Sequence, residues 1–134
     1  MGYSVLVAED EPNIVLSLQF IMKKAGLQVR IAEDGDQAIL EIEKDRPNAI
    51  LLDIMLPKRD GFSVCEVIKS NPEWSAIKVI MLTAKGREED KQRALGLGAD
   101  DYITKPFSTR ELVDRVIELI QEGESANDPG TAPK

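Results

Sequence analysis

Four apolar runs in this chain end on residues able to do chemistry. YSVLVA leads into Glu9 and Asp10, NAILL into Asp53, KVIML into Thr83, and DYIT into Lys105 and Pro106. There is no histidine. That removes the Ser-His-Asp and Cys-His nucleophile arrangements and every His-containing zinc site. Any chemistry must therefore run on carboxylates, hydroxyls and lysine. If the run ends meet, three carboxylates share one site with a hydroxyl and an ammonium. Two like charges about 4 Å apart at an effective dielectric of about 20 cost about 4 kcal/mol. Without a cation, at least one carboxyl should titrate above its ordinary range. A hard divalent ion relieves the repulsion, and Mg²⁺ prefers a few carboxylate oxygens, a carbonyl and waters. Bound metal and Lys105 would also neutralise an incoming phosphoryl group, with Asp53 as the nucleophile of an acyl phosphate.

These residues need elements that bring run ends together. YSVLVAE (3–9) reads as a strand. Over 12–25, Ile14, Leu18, Ile21 and Ala25 recur at helical spacing, with Pro12 in the first turn and Gly26 at the C-cap. LQVRIAE (27–33) alternates as a half-exposed edge strand does. DQAILEIEKD (36–45) reads as a helix that stops before Pro47. NAILLD (48–53) is a continuous apolar run, as in a strand covered on both faces. GFSVCEVIKS (61–70) reads as a helix, IKVIMLTA (77–84) as a buried strand, REEDKQRALGL (87–97) as an apolar-poor helix and DYIT (101–104) as a short strand. Ser108 and Glu111 match a capping box ahead of Leu112, Val113, Val116, Ile117 and Ile120. Strands alternating with helices over short connections predict a parallel sheet with helices on both faces. In such a sheet, sites form beyond the carboxyl ends of the strands. That is where the candidate residues fall.

The 134 residues suit one domain, expected over 1–123. Residues 124–134, ESANDPGTAPK, are small and polar and read as a disordered tail or the start of a linker. The net charge of −7 argues against this domain gripping a phosphate backbone by itself. No apolar run approaches the roughly 20 residues that span a bilayer, and no basic region precedes an apolar N-terminal stretch. A cytoplasmic location without membrane contact is expected. The one cysteine, Cys65, excludes an internal disulfide and sits in an apolar helical pattern, where its role is packing.

The acidic pair Glu9-Asp10, LLDIMLPKRDG with Asp53, MLTA with Thr83, and GADDYITKPF with Tyr102 and Lys105 follow one another in a highly specific order and spacing. On these motifs, residues 3–122 resemble the receiver domain of bacterial response regulators, the CheY-like fold. The resemblance implies an α/β (βα)5 doubly wound sheet of order 2-1-3-4-5. It implies that Asp53 is the phosphoacceptor and that Asp10 and Asp53 bind Mg²⁺ directly. Glu9 would act through water, and the Met55 backbone carbonyl would be a further ligand. Thr83 would hydrogen-bond a phosphoryl oxygen, Lys105 would pair with the phosphoryl charge, and the Lys105–Pro106 bond would be cis. Tyr102 would turn inward as Thr83 moves. The phosphoryl donor would be a phosphohistidine on a sensor kinase or histidine phosphotransfer protein. With Met55 and Lys85 beside the path of an attacking water, self-dephosphorylation is expected to be slow.

GREEDKQRALGLGADDYITKPFSTRELVDRV further resembles the winged-helix transcription-factor branch. That branch dimerises on phosphorylation through its fourth helix, fifth strand and fifth helix. Lys91, Asp101, Glu111 and Arg115 occupy its paired positions, with Lys91 where arginine is usual. Other readings stand beside these. Asp53 could cap a nearby backbone group, Glu9-Asp10 could be a helix N-terminal acid pair, and the four charged residues could form a solvated face. A phosphatase of the haloacid dehalogenase type needs D-x-D at its nucleophile, and here Met55 stands second after Asp53. A degenerate receiver acting as a scaffold usually lacks the acceptor or the lysine, and both are present.

Overall fold

The computed structural model describes residues 2–84 and 87–127. Among them, five strands and five helices alternate: β1 (Ser4–Ala8), α1 (Pro12–Lys24), β2 (Gln28–Ala32), α2 (Gly35–Lys44), β3 (Ala49–Asp53), α3 (Gly61–Ser70), β4 (Lys78–Ala84), α4 (Glu88–Gly96), β5 (Asp101–Lys105) and α5 (Thr109–Asn127). A short 3₁₀ turn, Pro72–Trp74, follows α3. The strands form one parallel sheet of order β2-β1-β3-β4-β5, the order the resemblance implies.

Strand alternation builds two cores. Val5, Val7, Leu51, Ile80 and Leu82 point to the side covered by α1 and α5, against Leu18, Met22, Leu112 and Val116. Leu6, Ile50, Leu52 and Met81 point to the side of α2, α3 and α4, against Ile42, Cys65 and Ile68. Burial on both faces explains why β3 reads as an unbroken apolar run. The edge strand β2 is only partly buried, as its alternating sequence predicts. Both cores hold the central strands rigidly, so the positions of their C-terminal residues are fixed.

Helix starts follow side-chain capping. Glu11 accepts the Asn13 N–H at 3.0 Å, Asp34 the Gln37 N–H at 2.8 Å and Asp60 the Ser63 N–H at 2.9 Å. Ser108 Oγ accepts the Glu111 N–H at 3.3 Å. The helix α4 differs. Its cap residue Arg87 makes no side-chain cap bond, and Ala94 is its one buried side chain. Two cations on α4 instead lie over aromatic rings, Arg93 over Phe62 at 4.1 Å and Lys91 over Tyr102 at 4.5 Å.

One boundary differs from the sequence reading. The helix α5 continues to Asn127, past the limit of 123 expected for the domain. Glu124 Oε1 accepts the Tyr3 hydroxyl at 2.6 Å, so the chain start fastens this last stretch. The rest of the expected tail, 128–134, lies outside the described residues, as does Lys85. No helix among the described residues is long and apolar enough to cross a membrane.

Candidate functional site

Asp53 closes β3 and is 5% exposed. Its Oδ1 accepts the Met55 N–H at 3.1 Å, and its Oδ2 lies 3.3 Å from Lys105 Nζ. The chain turns sharply behind it. A Cβ on Gly61 would meet the Asp53 carbonyl oxygen at 2.5 Å, so only glycine fits there. Glu9, one residue past β1, is fully buried. Its Oε2 accepts the Glu11 N–H at 3.1 Å. Its Oε1 stands 3.0 Å from Lys105 Nζ, a charge contact without hydrogen-bond alignment. Asp10 is exposed at the mouth of the site. The carboxylates of Glu9, Asp10 and Asp53 offer oxygens within 4.8 Å of one another.

Electrostatics follow from this crowding. Burial pushes the Glu9 carboxyl above its ordinary range, and the Asp53 charge pushes the same way against Lys105 and the Glu11 N–H. For Lys105, burial alone would lower the ammonium, but the Glu9 and Asp53 carboxylates outweigh it and hold it up. Lys105 therefore stays charged between two acids. Three hard oxygen donors around one point, with a lysine to one side, fit a Mg²⁺ ion.

Thr83 lies on β4 next to Leu82, the register partner of Asp53. It is 1% exposed, and its Oγ1 has no hydrogen-bond partner among the described residues. A buried hydroxyl left unpaired costs stability. Tyr102 on β5 is half-buried and packs toward the α2–α3–α4 core. The Lys105–Pro106 peptide is cis, as expected from the resemblance. The Met55 side chain is 74% exposed.

Of the four expected dimer-face residues, three are already engaged within the chain. Arg115 pairs with Asp101 and with Glu118, and Lys91 pairs with Glu88 at 3.3 Å. Glu111 is exposed at the start of α5.

Two features were not read from the sequence. One is the direct Glu9–Lys105 contact, between residues far apart in the chain. The other is a groove of about 490 Å³ beside Lys105, lined by Asn13, Ile14, Ser17, Ala84, Pro106 and Phe107 among others. Ile14 fits the helical repeat of a core residue, and its half-exposure is invisible to periodicity.

A parallel sheet of order 2-1-3-4-5 with acids, a hydroxyl and a lysine at its strand ends defines a signal-receiver architecture. The chain belongs to the response regulator receiver domain family, whose model matches residues 5–117. It is similar to the receiver domain of a signal transduction histidine kinase from Syntrophus aciditrophicus: 32% identity, 90% of this chain and 92% of that chain covered, TM-score 0.84. It is similar to the receiver domain of the sensor histidine kinase PA1611 from Pseudomonas aeruginosa, solved with a magnesium ion coordinated in its active-site cleft: 31% identity, 90% and 99% covered, TM-score 0.82. A CheY-like response regulator receiver domain protein from Methanospirillum hungatei is 30% identical over 92% of this chain and 98% of that one, with a TM-score of 0.85.

Proposed function

We propose that this receiver takes a phosphoryl group onto Asp53 from a phosphohistidine on a sensor histidine kinase or histidine phosphotransfer protein. The observation that carries the reading is the pairing of one near-buried aspartate with a lysine at 3.3 Å and two further carboxylates at one set of strand ends. Asp10, Asp53 and the Met55 carbonyl would hold Mg²⁺, with Glu9 acting through water. The ion supplies positive charge that offsets acid–acid repulsion and the charge of the transferred group. In the transfer, the phosphorus–nitrogen bond of the donor breaks as an Asp53 oxygen–phosphorus bond forms. Lys105 pairs with the added charge, and Thr83 Oγ1 gains the acceptor it lacks. The groove lined in part by Lys105 offers a protein donor apolar surface.

Movement of Thr83 and Tyr102 would then act on α4, whose packing rests on one buried alanine and two cation–aromatic contacts. Shifting such an element from 1:99 to 99:1 takes about 5.5 kcal/mol of differential stabilisation. The output would be pairing of two copies through α4, β5 and α5, or docking of a partner there. The protein acts in the cytoplasm as a phosphoacceptor switch rather than as an enzyme, without binding nucleic acid or membrane itself. Its self-dephosphorylation is slow, because the exposed Met55 side chain orients an attacking water poorly; a phosphate half-life of seconds would contradict this.

The test is intact mass after incubation with a small acyl phosphate. The wild-type protein should gain one phosphoryl group with Mg²⁺ and none with a chelator, and Asp53→Ala should gain none. Equal labelling of Asp53→Ala would reject the reading.

A further inference from the structure

The β3–α3 loop, residues 54–60, rests on the junction between β2 and α2. The Gly35 N–H donates to the Pro57 carbonyl at 3.2 Å. Gly35 is buried, and a Cβ placed on it would stand 1.9 Å from the Arg59 carbonyl oxygen and 2.6 Å from the Arg59 Cβ. That carbonyl is backbone, so it would have to retreat by about 1.1 Å before the contact reached 3.0 Å. Two ion pairs flank the contact: Lys58 Nζ lies 3.7 Å from Asp34 Oδ2, and Arg59 Nε lies 3.1 Å from Asp36 Oδ1. Asp34 is 6% exposed and fixed in place by capping α2.

Lys58 itself sits at φ +67°. The left-handed region costs a non-glycine residue roughly 1–2 kcal/mol, so surrounding structure must impose it. The far end of the loop is closed by the Gly61 N–H donating to the Ile54 carbonyl at 2.9 Å. Met55 lies between these two fastenings. The edge strand β2 gives no residue to the acid cluster, yet the turn that follows it sets the shape of the loop that completes the site.

We infer that Gly35, with Asp34, is a positioning residue for the divalent-cation site: it seats the β3–α3 loop and thereby places the Met55 carbonyl. This rests on the reading of that carbonyl as a metal ligand. A displacement of about 1 Å in a supporting group is enough to weaken a site severely. Loss of a group that orients a metal ligand typically costs about 10- to 100-fold in affinity.

The test is Gly35→Ala, titrated with Mg²⁺ by calorimetry, together with amide hydrogen exchange in the metal-free protein. At least about a tenfold loss of Mg²⁺ affinity is expected. The Met55 and Gly61 amides should exchange faster, while amides of β1 and β4 keep their protection. A second variant, Asp34→Asn with Lys58→Gln, keeps the net charge and an N-capping side chain while removing the ion pair. It should fold in any case and bind Mg²⁺ roughly threefold more weakly. Wild-type affinity and unchanged Met55 and Gly61 exchange in Gly35→Ala would overturn the inference. Should that variant not fold, wild-type affinity in the double variant would overturn it. No Mg²⁺ binding by the wild-type protein would overturn the metal reading and the role of Gly35 with it. Binding by wild type and Gly35→Ala alike overturns the role of Gly35 alone.

Discussion

Lys105 Nζ lies 3.3 Å from Asp53 Oδ2, and the same ammonium lies 3.0 Å from the fully buried Glu9. One cation thus serves two acids that would otherwise face each other in low dielectric. Lys105→Ala leaves Glu9 with the Glu11 N–H as its remaining partner. Removing one member of a buried charged pair is costly. The variant should lose about 1–3 kcal/mol of stability without metal, and Mg²⁺ should restore part of it. Denaturant unfolding with and without Mg²⁺ checks this. An unchanged metal-free stability would contradict it.

Thr83 presents the opposite case. Its buried Oγ1 has no partner among the described residues, so the hydroxyl costs stability in the resting state. Thr83→Val should leave the unphosphorylated fold as stable as wild type or up to about 1 kcal/mol more stable. The same variant should not show the conformational response to beryllofluoride, a phosphoryl mimic. Thermal melts and amide spectra measure the two effects. A marked loss of stability would mean that the hydroxyl is already bonded.

For the α4–β5–α5 face, the chain makes a competing demand. Asp101 and Arg115 pair with each other within one molecule, and a cross-subunit pair must replace that contact. Exposed pairs contribute at most about 1 kcal/mol each. Light scattering with Mg²⁺ should show monomer without beryllofluoride and dimer with it, and Asp53→Ala should stay monomeric. Arg115→Ala should weaken the dimer roughly fivefold while still binding the mimic. A wild-type monomer with the mimic bound would mean that a different partner uses this face.

Cys65 is fully buried, and burial pushes its thiol from 9.0 up to about 11. The folded state therefore holds this proton where the unfolded state releases it. Stability is lost as pH rises through the unfolded value toward the folded one. The loss through this group should reach about 2 kcal/mol near pH 11. Comparing the pH dependence of unfolding in wild type and Cys65→Ala isolates it. At pH 8 a thiol reagent should label Cys65 only as fast as the protein unfolds. Rapid labelling of the folded protein would contradict the burial.

Sequence patterns exposed most of the frame. The unbroken run ending on Asp53 marked a central strand, and the alternation in QVRIA marked an edge. The order of acids, hydroxyl and lysine marked the candidate site. What remained hidden depends on long-range geometry. Glu9 and Lys105 are far apart in sequence; the run ends bring both to one site, but which acid the ammonium touches is set by three-dimensional geometry. Gly35 stands in a cap-like DGD stretch, and its contact with the Arg59 backbone is a matter of shape. Residues 124–127 continue α5, although their small polar composition reads as a tail. There the Tyr3–Glu124 bond supports a helix that composition alone does not signal.

On this reading Asp53, and no other carboxylate, carries the phosphoryl group. After phosphorylation with Mg²⁺, borohydride reduction converts an aspartyl phosphate to homoserine, which peptide sequencing locates. Homoserine is expected at position 53 alone, and none when Mg²⁺ is chelated. Reduction at Asp10 or Glu9, or no acyl phosphate on the folded protein, would contradict it.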